Sequence, residues 1–184
     1  MNIVPMREKA EERDALKSLV EITGLENLTM IEVGCYSGES SEIFASTGKV
    51  KTLWCIDPWK NGYDARDIAS SSDFTAVEKK FDEMAERNPV VKKFKGTLAD
   101  FVEAHPEVKP DLIYIDACHT YEAVKSDINL ALKFCPKFIS GHDFCSGWAG
   151  VMEAVRETLG EPDQTFADNS WIIDLRNEDR KDDN

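Results

Sequence analysis

The sequence predicts an α/β fold built on a mostly parallel sheet with helices on both faces. Short apolar runs alternate with segments of three-four apolar spacing along the whole chain, the pattern of repeated strand-helix units. The run 112–115 is apolar at every position, as suits a strand buried on both faces. Each predicted parallel strand is followed by glycine, Asp, His or Thr, so polar groups gather at one edge of the sheet. The chain has 184 residues, enough for one domain with a full core, read here as 1–176.

A first helix is expected over 7–23, with Leu16, Leu19, Val20 and Thr23 inward and Gly24 ending it. Strand 28–33 leads into a short amphipathic helix carrying Ile43, Phe44 and Thr47, and strand 52–56 follows. Helix 73–87 spaces Phe74, Val77, Phe81 and Met84 on one side, and Asn88-Pro89 stops it. Strand 90–94 and a short helix from Thr97 to about Ala104 precede strand 112–115. Helix 121–134 buries Val124, Ile128, Ala131 and Leu132, followed by strand 138–140, helix 148–159 and strand 171–175. The long irregular stretch 58–72 has the length of a lid or substrate loop. The acidic end 177–184 reads as a frayed, solvated tail.

Composition excludes several classes. Against 22 Lys and Arg stand 35 Asp and Glu, a net charge of −13, the opposite of the basic footprint that nucleic acids or anionic membranes need. No apolar run approaches the length of a membrane span, and no signal peptide is visible at the start. The five cysteines include no C-x-x-C pair, so they read as structural thiols of a reduced, cytoplasmic protein. Oligomeric state is left open.

The segment Met30-Ile-Glu-Val-Gly-Cys-Tyr-Ser-Gly-Glu-Ser40 carries the most chemistry. A strand with Glu32 runs into Gly34 and Gly38, whose backbone freedom suits a tight turn and close ligand approach. The helix start beyond offers unpaired N–H groups to an anion. Asp57 follows Gly34 by 23 residues, the spacing of an acid that accepts hydrogen bonds from ribose hydroxyls, although an Asp before Pro58 also starts turns. The third glycine of a dinucleotide fingerprint and the Gly-Lys-Ser/Thr of a phosphate loop are both missing. Glu32, the two glycines and donors such as Ser40 fit a cofactor with an amino-acid tail.

With these residues in hand the chain resembles class I S-adenosylmethionine-dependent methyltransferases. The matching stretches are Ile31-Glu-Val-Gly-Cys-Tyr-Ser-Gly38, Cys55-Ile-Asp57-Pro and Asp111-Leu-Ile-Tyr-Ile-Asp116-Ala-Cys-His119-Thr-Tyr-Glu122. The last, continued through Asp127 to Ile139-Ser-Gly-His-Asp143, is similar to the macrocin O-methyltransferase and cephalosporin-hydroxylase-like branch. The resemblance implies a Rossmann-like, seven-stranded sheet with an antiparallel last strand and a small-molecule hydroxyl as methyl acceptor. It places Glu32, Gly34 and Gly38 along the methionine part and Asp57 at the ribose; Tyr36, Ser37, Ser40 and Asp116 are further candidate cofactor-binding residues. Gly96, Thr97 and Leu98 would border the adenine, although many relatives have an acid or Ser where this chain has Thr97.

Strands ending in Asp116 and Asp143 should be neighbours, about 4.8 Å apart. Two such carboxylates repel unless a cation sits between them, so Asp116, His142 and Asp143 are a candidate site for Mg²⁺. His142 stands where some relatives have an acid, which leaves Mn²⁺ or Fe²⁺ open. His119 is the candidate general base, because an ordinary imidazole titrates near neutrality, and Asp116 its catalytic neighbour. The blander readings make Asp116 and Asp143 helix caps and His119 a loop residue. Trp59, Tyr63 and Trp148 would wall the acceptor pocket or simply pack, and Glu122 starts a helix. Two rival functions remain: a metal-dependent oxygenase with His119, Asp116, His142 and Asp143 around iron, and a non-catalytic cofactor-binding module.

Overall fold

The computed structural model describes residues 3–7 and 9–177, so the expected acidic tail lies, beyond Asn177, outside the described residues. The strands are β1 (Leu28–Val33), β2 (Val50–Asp57), β3 (Val91–Lys95), β4 (Leu112–Ile115), β5 (Phe138–Gly141), β6 (Gln164–Thr165) and β7 (Trp171–Asp174). They form one seven-stranded sheet in the order β3-β2-β1-β4-β5-β7-β6. β1 to β5 run parallel, and β7 pairs antiparallel with both β5 and β6. The chain reverses its direction of winding between β1 and β4. Ligands bind beyond the carboxyl ends of the strands at such a switch point.

Helices α1 (Ala10–Glu21), α2 (Glu39–Ser46) and α3 (Phe74–Arg87) cover one face. There Leu16, Leu19, Phe44, Val77 and Phe81 join Met30, Leu53 and Tyr114 in one core cluster. Helices α4 (Leu98–Ala104), α5 (Tyr121–Leu132) and α6 (Ala149–Leu159) cover the other. Leu98, Phe101, Val124, Ile128 and Val155 pack there against Ile31, Ile113 and Ile139. Alternate strand residues feed the two cores, as the two-residue period of a strand requires. Glu32 consequently points to the face covered by α1–α3, fully buried.

Two departures from the sequence-based expectation matter. β6 carries no pattern to read, because it has two residues and both are exposed. The first helix starts at Ala10 instead of residue 7. The backbone N–H groups of Met6 and Arg7 donate to Glu39 Oε2 at 2.8 and 2.9 Å, which holds the preceding segment out of the helix. Other boundaries shift by two residues or fewer, the ordinary uncertainty of helix and strand ends.

Candidate active site

The turn after β1 is shaped by backbone contact. Gly34 has φ +86°, and a Cβ built on it would lie 2.0 Å from the carbonyl oxygen of Asp116. Only glycine permits that approach of the β1 turn to the end of β4. Asp57, at the end of β2, ties the turn together. Its Oδ2 accepts from the N–H groups of Cys35 and Tyr36 at 3.0 and 2.9 Å, and its Oδ1 from Trp59 N at 2.6 Å. Tyr36 and Trp59 both have positive φ, 47° and 44°, a region that bulky residues enter only when held. Asp57 lines the cavity, but three backbone donors already occupy much of its acceptor capacity.

Behind the turn, Ser40 and Ser41 each donate to Glu32 at 2.5 Å. Burial pushes the Glu32 carboxyl up to about 7, against the lowering effect of these two hydroxyls. Ser40 therefore serves Glu32 while also lining the cavity.

At the ends of β4 and β5 lies a cluster of carboxylates and imidazoles. Ligand atoms of Asp116, His142 and Asp143 all fall within 4.8 Å of one another. His119 Nε2 lies 3.0 Å from Asp143 Oδ2 and 3.9 Å from Asp116 Oδ1. His142 Nδ1 is 3.2 Å from Asp143 Oδ2, and its Nε2 is 3.8 Å from Asp168 Oδ2. Neither Asp116 nor Asp143 caps a helix: Thr120 caps α5 and Trp148 precedes α6. Asp143 itself has φ 60°, a left-handed conformation that turns the chain at the end of β5.

Charge governs this cluster. Burial tends to lower the His119 pKa, but Asp116 and Asp143 outweigh it and raise it to about 10. Burial tends to raise Asp143, but His119 and His142 hold it well below the usual carboxylate range. His119 thus stands between two carboxylates that favour its protonated form, well above the near-neutral value expected from the sequence. Its ring lies on Trp148, centroids 4.2 Å apart, while Nδ1 faces Asp64 Oδ2 at 3.6 Å. Both of those atoms are buried without a hydrogen-bond partner. Asp64 comes from the loop 58–72, which folds over the site through Gly62 N to Ser70 O at 3.0 Å and Tyr36 Oη to Ser72 Oγ at 2.6 Å.

The N-terminal segment supplies a cation that sequence reasoning missed. Arg7 donates from a terminal guanidinium nitrogen to Asp116 Oδ2 at 2.8 Å, and both groups are largely buried. Val4 N bonds to Tyr36 Oη at 3.1 Å, and the Met6 and Arg7 amides hold Glu39, so residues 4–7 form a strap beside the glycine turn.

Between these parts runs a cavity of about 400 Å³. Gly34, Tyr36, Ser37, Ser40 and Asp57 line one stretch; Gly96, Thr97 and Leu98 line another; Asp116, His119, His142 and Asp143 line a third. Glu32 and Gly38 are absent from its lining and act from beneath. Thr97 also caps α4, its hydroxyl donating to Asp100 at 2.7 Å. Of the three aromatic candidates, Tyr63 and Trp148 face the cavity. Trp59 packs on Phe81 in the core, with its indole N–H on Tyr36 O at 2.8 Å. Asp127 of α5 also lines the cavity, unassigned by the sequence reading.

The sequence model of a methyltransferase-domain family matches residues 31–143, well over half the chain and all the residues of the glycine turn and the acidic cluster. The chain belongs to this methyltransferase-domain family. Among curated proteins no sequence matches it. Similar solved structures include cofactor-bound Rv0187 from MTB, 13% identical, TM-score 0.65, with 95% of this chain and 84% of that one covered. An O-methyltransferase from Bacillus cereus in complex with SAH is 18% identical, TM-score 0.61, covering 91% and 82%. The O-methyltransferase TomG from Streptomyces achromogenes, in complex with SAM, is 13% identical, TM-score 0.59, covering 89% and 78%. These likenesses establish the Rossmann-like methyltransferase fold, with its seven-stranded, mostly parallel sheet. Among the described residues, no helix is long and apolar enough to cross a membrane.

Proposed function

We propose that the protein transfers a methyl group from S-adenosylmethionine to a hydroxyl of a small molecule, with a divalent ion at Asp116, His142 and Asp143. The observation that carries this reading is one cavity joining the glycine turn to three ligand atoms within 4.8 Å. Two similar O-methyltransferase structures hold SAH or SAM, which supports the choice of cofactor. Two carboxylates and one imidazole suit Mg²⁺ less well than Mn²⁺ or Fe²⁺, since the nitrogen ligand favours the softer ions. When bound, such an ion would grip the acceptor hydroxyl and lower its pKa.

The chain's own residues do the rest. The turn from Gly34 to Ser40 and the end of β2 seat the cofactor, and Tyr63 and Trp148 flank the acceptor. His119 is the proton acceptor once an ion, instead of its own proton, balances Asp116 and Asp143. In the transfer the sulfonium S–CH₃ bond breaks as the O–CH₃ bond forms, and the hydroxyl proton leaves to His119. Holding the two reactants in line accounts for most of the rate gain. The test is formation of S-adenosylhomocysteine from S-adenosylmethionine, Mn²⁺ and a panel of catechol and sugar acceptors. Turnover that requires an acceptor and is lost with chelator supports the proposal. Undiminished turnover with chelator would remove the metal from it, and turnover on no hydroxyl acceptor would remove the reaction.

A further inference from the structure

Asp127 sits in the second turn of α5, three residues after Val124 and one before Ile128. Both of those side chains pack in the core that contains Leu98 and Phe101. Asp127 is therefore an acid on the inward side of an amphipathic helix, and it reaches the cavity that Gly96, Thr97 and Leu98 also line. Val33, Ile56 and Leu98, which also line the cavity and belong to that same core, are apolar. Among the described residues no hydrogen bond or ion pair reaches its carboxylate, while Thr97, which also lines the cavity, is committed to Asp100. Burial alone raises its pKa to about 6. A half-buried carboxylate without a donor costs stability unless a ligand brings the donor.

We infer that Asp127 accepts a hydrogen bond from the exocyclic amine of the cofactor's adenine and so selects adenine over other purines. This rests on the S-adenosylmethionine reading, which puts the base against Gly96–Leu98. The amine carries N–H donors, whereas the carbonyl of a hypoxanthine base would turn a lone pair toward the carboxylate. A donor bound to a charged acceptor is worth about ten- to a hundredfold in affinity, and a site built for it rejects the analogue that lacks it.

The experiment is calorimetric titration of the full chain with S-adenosylhomocysteine and with S-inosylhomocysteine, using wild type, Asp127→Ala and Asp127→Asn. The expected result is about ten- to a hundredfold preference of the wild type for the adenine compound. Asp127→Ala should bring the two ligands within about threefold, mainly by weakening the first. Asp127→Asn, whose amide also donates, should retain fold and favour the inosine compound relative to wild type. Without ligand, both variants should melt at or above the wild-type temperature, whereas a purely structural Asp127 would make them melt lower. Full adenine preference in Asp127→Ala would overturn the inference and leave the cofactor reading intact. Wild type that binds neither compound would overturn both.

Discussion

Replacing Glu32 by Gln isolates the energetic consequence of placing an acid beneath the glycine turn. Burial raises the Glu32 pKa from 4.5 to about 7 in the folded chain. The folded state then holds a proton that the unfolded chain has released. Its stabilising contribution is present below about pH 4.5 and is lost as pH rises to about 7. A shift of this size corresponds to roughly 3 kcal/mol, at about 1.4 kcal/mol per pH unit. Gln keeps both serine contacts, because each hydroxyl can donate to the amide oxygen or accept from its nitrogen, yet carries no charge. Urea unfolding followed by circular dichroism from about pH 4.5 to 8 should show the variant's advantage growing to roughly 3 kcal/mol, most of it gained below pH 7. Parallel pH profiles for the two proteins would refute the assignment of a buried Glu32 whose pKa is raised by burial.

Removing the strap's cation with Arg7→Met leaves Asp116 short of a buried partner and should cost about 3 kcal/mol; denaturation with and without Mn²⁺ checks it, and Mn²⁺ should recover part of the loss. Gly34→Ala forces a methyl against the Asp116 carbonyl 2.0 Å away, and the overpacking with the left-handed φ should cost about 2 kcal/mol or more and abolish S-adenosylhomocysteine binding. Asp57→Asn turns one acceptor toward backbone N–H groups into a donor, a loss of about 1–3 kcal/mol that thermal melting would register. Asp143→Ala should remove Mn²⁺ binding in calorimetry and bring the His119 pKa down from about 10, read by NMR titration of the imidazole, because one of the two carboxylates that raise it is gone.

Much of this architecture could be read from the sequence because strong patterns wrote it. The apolar strand Leu112–Ile115, the spacing in α3 and the chain of polar strand ends each carry a signal within a few residues. Grouping Asp116, His142 and Asp143 drew on strand adjacency together with the family resemblance, and β4 and β5 do pair, with the three ligand atoms within 4.8 Å of one another. Contacts between distant segments left no such trace. Nothing local in Met6-Arg7 announces a bond to Glu39 and Asp116, 33 and 109 residues away. The histidine pKa depends on carboxylates brought in by tertiary structure, so an ordinary value was the wrong guide. Asp127 did leave a signal: it interrupts the inward stripe of Val124, Ile128 and Ala131, where an acid needs a reason.

The central claim is that the cavity between the glycine turn and the β4–β5 ends is an S-adenosylmethionine site. Titration of the full chain with S-adenosylhomocysteine, joined to a thermal melt at the same concentrations, tests it most directly. The account predicts one molecule bound per chain and, at a hundredfold excess over Kd, stabilisation of about 2.7 kcal/mol. No heat of binding and no shift in melting temperature at millimolar ligand would contradict it.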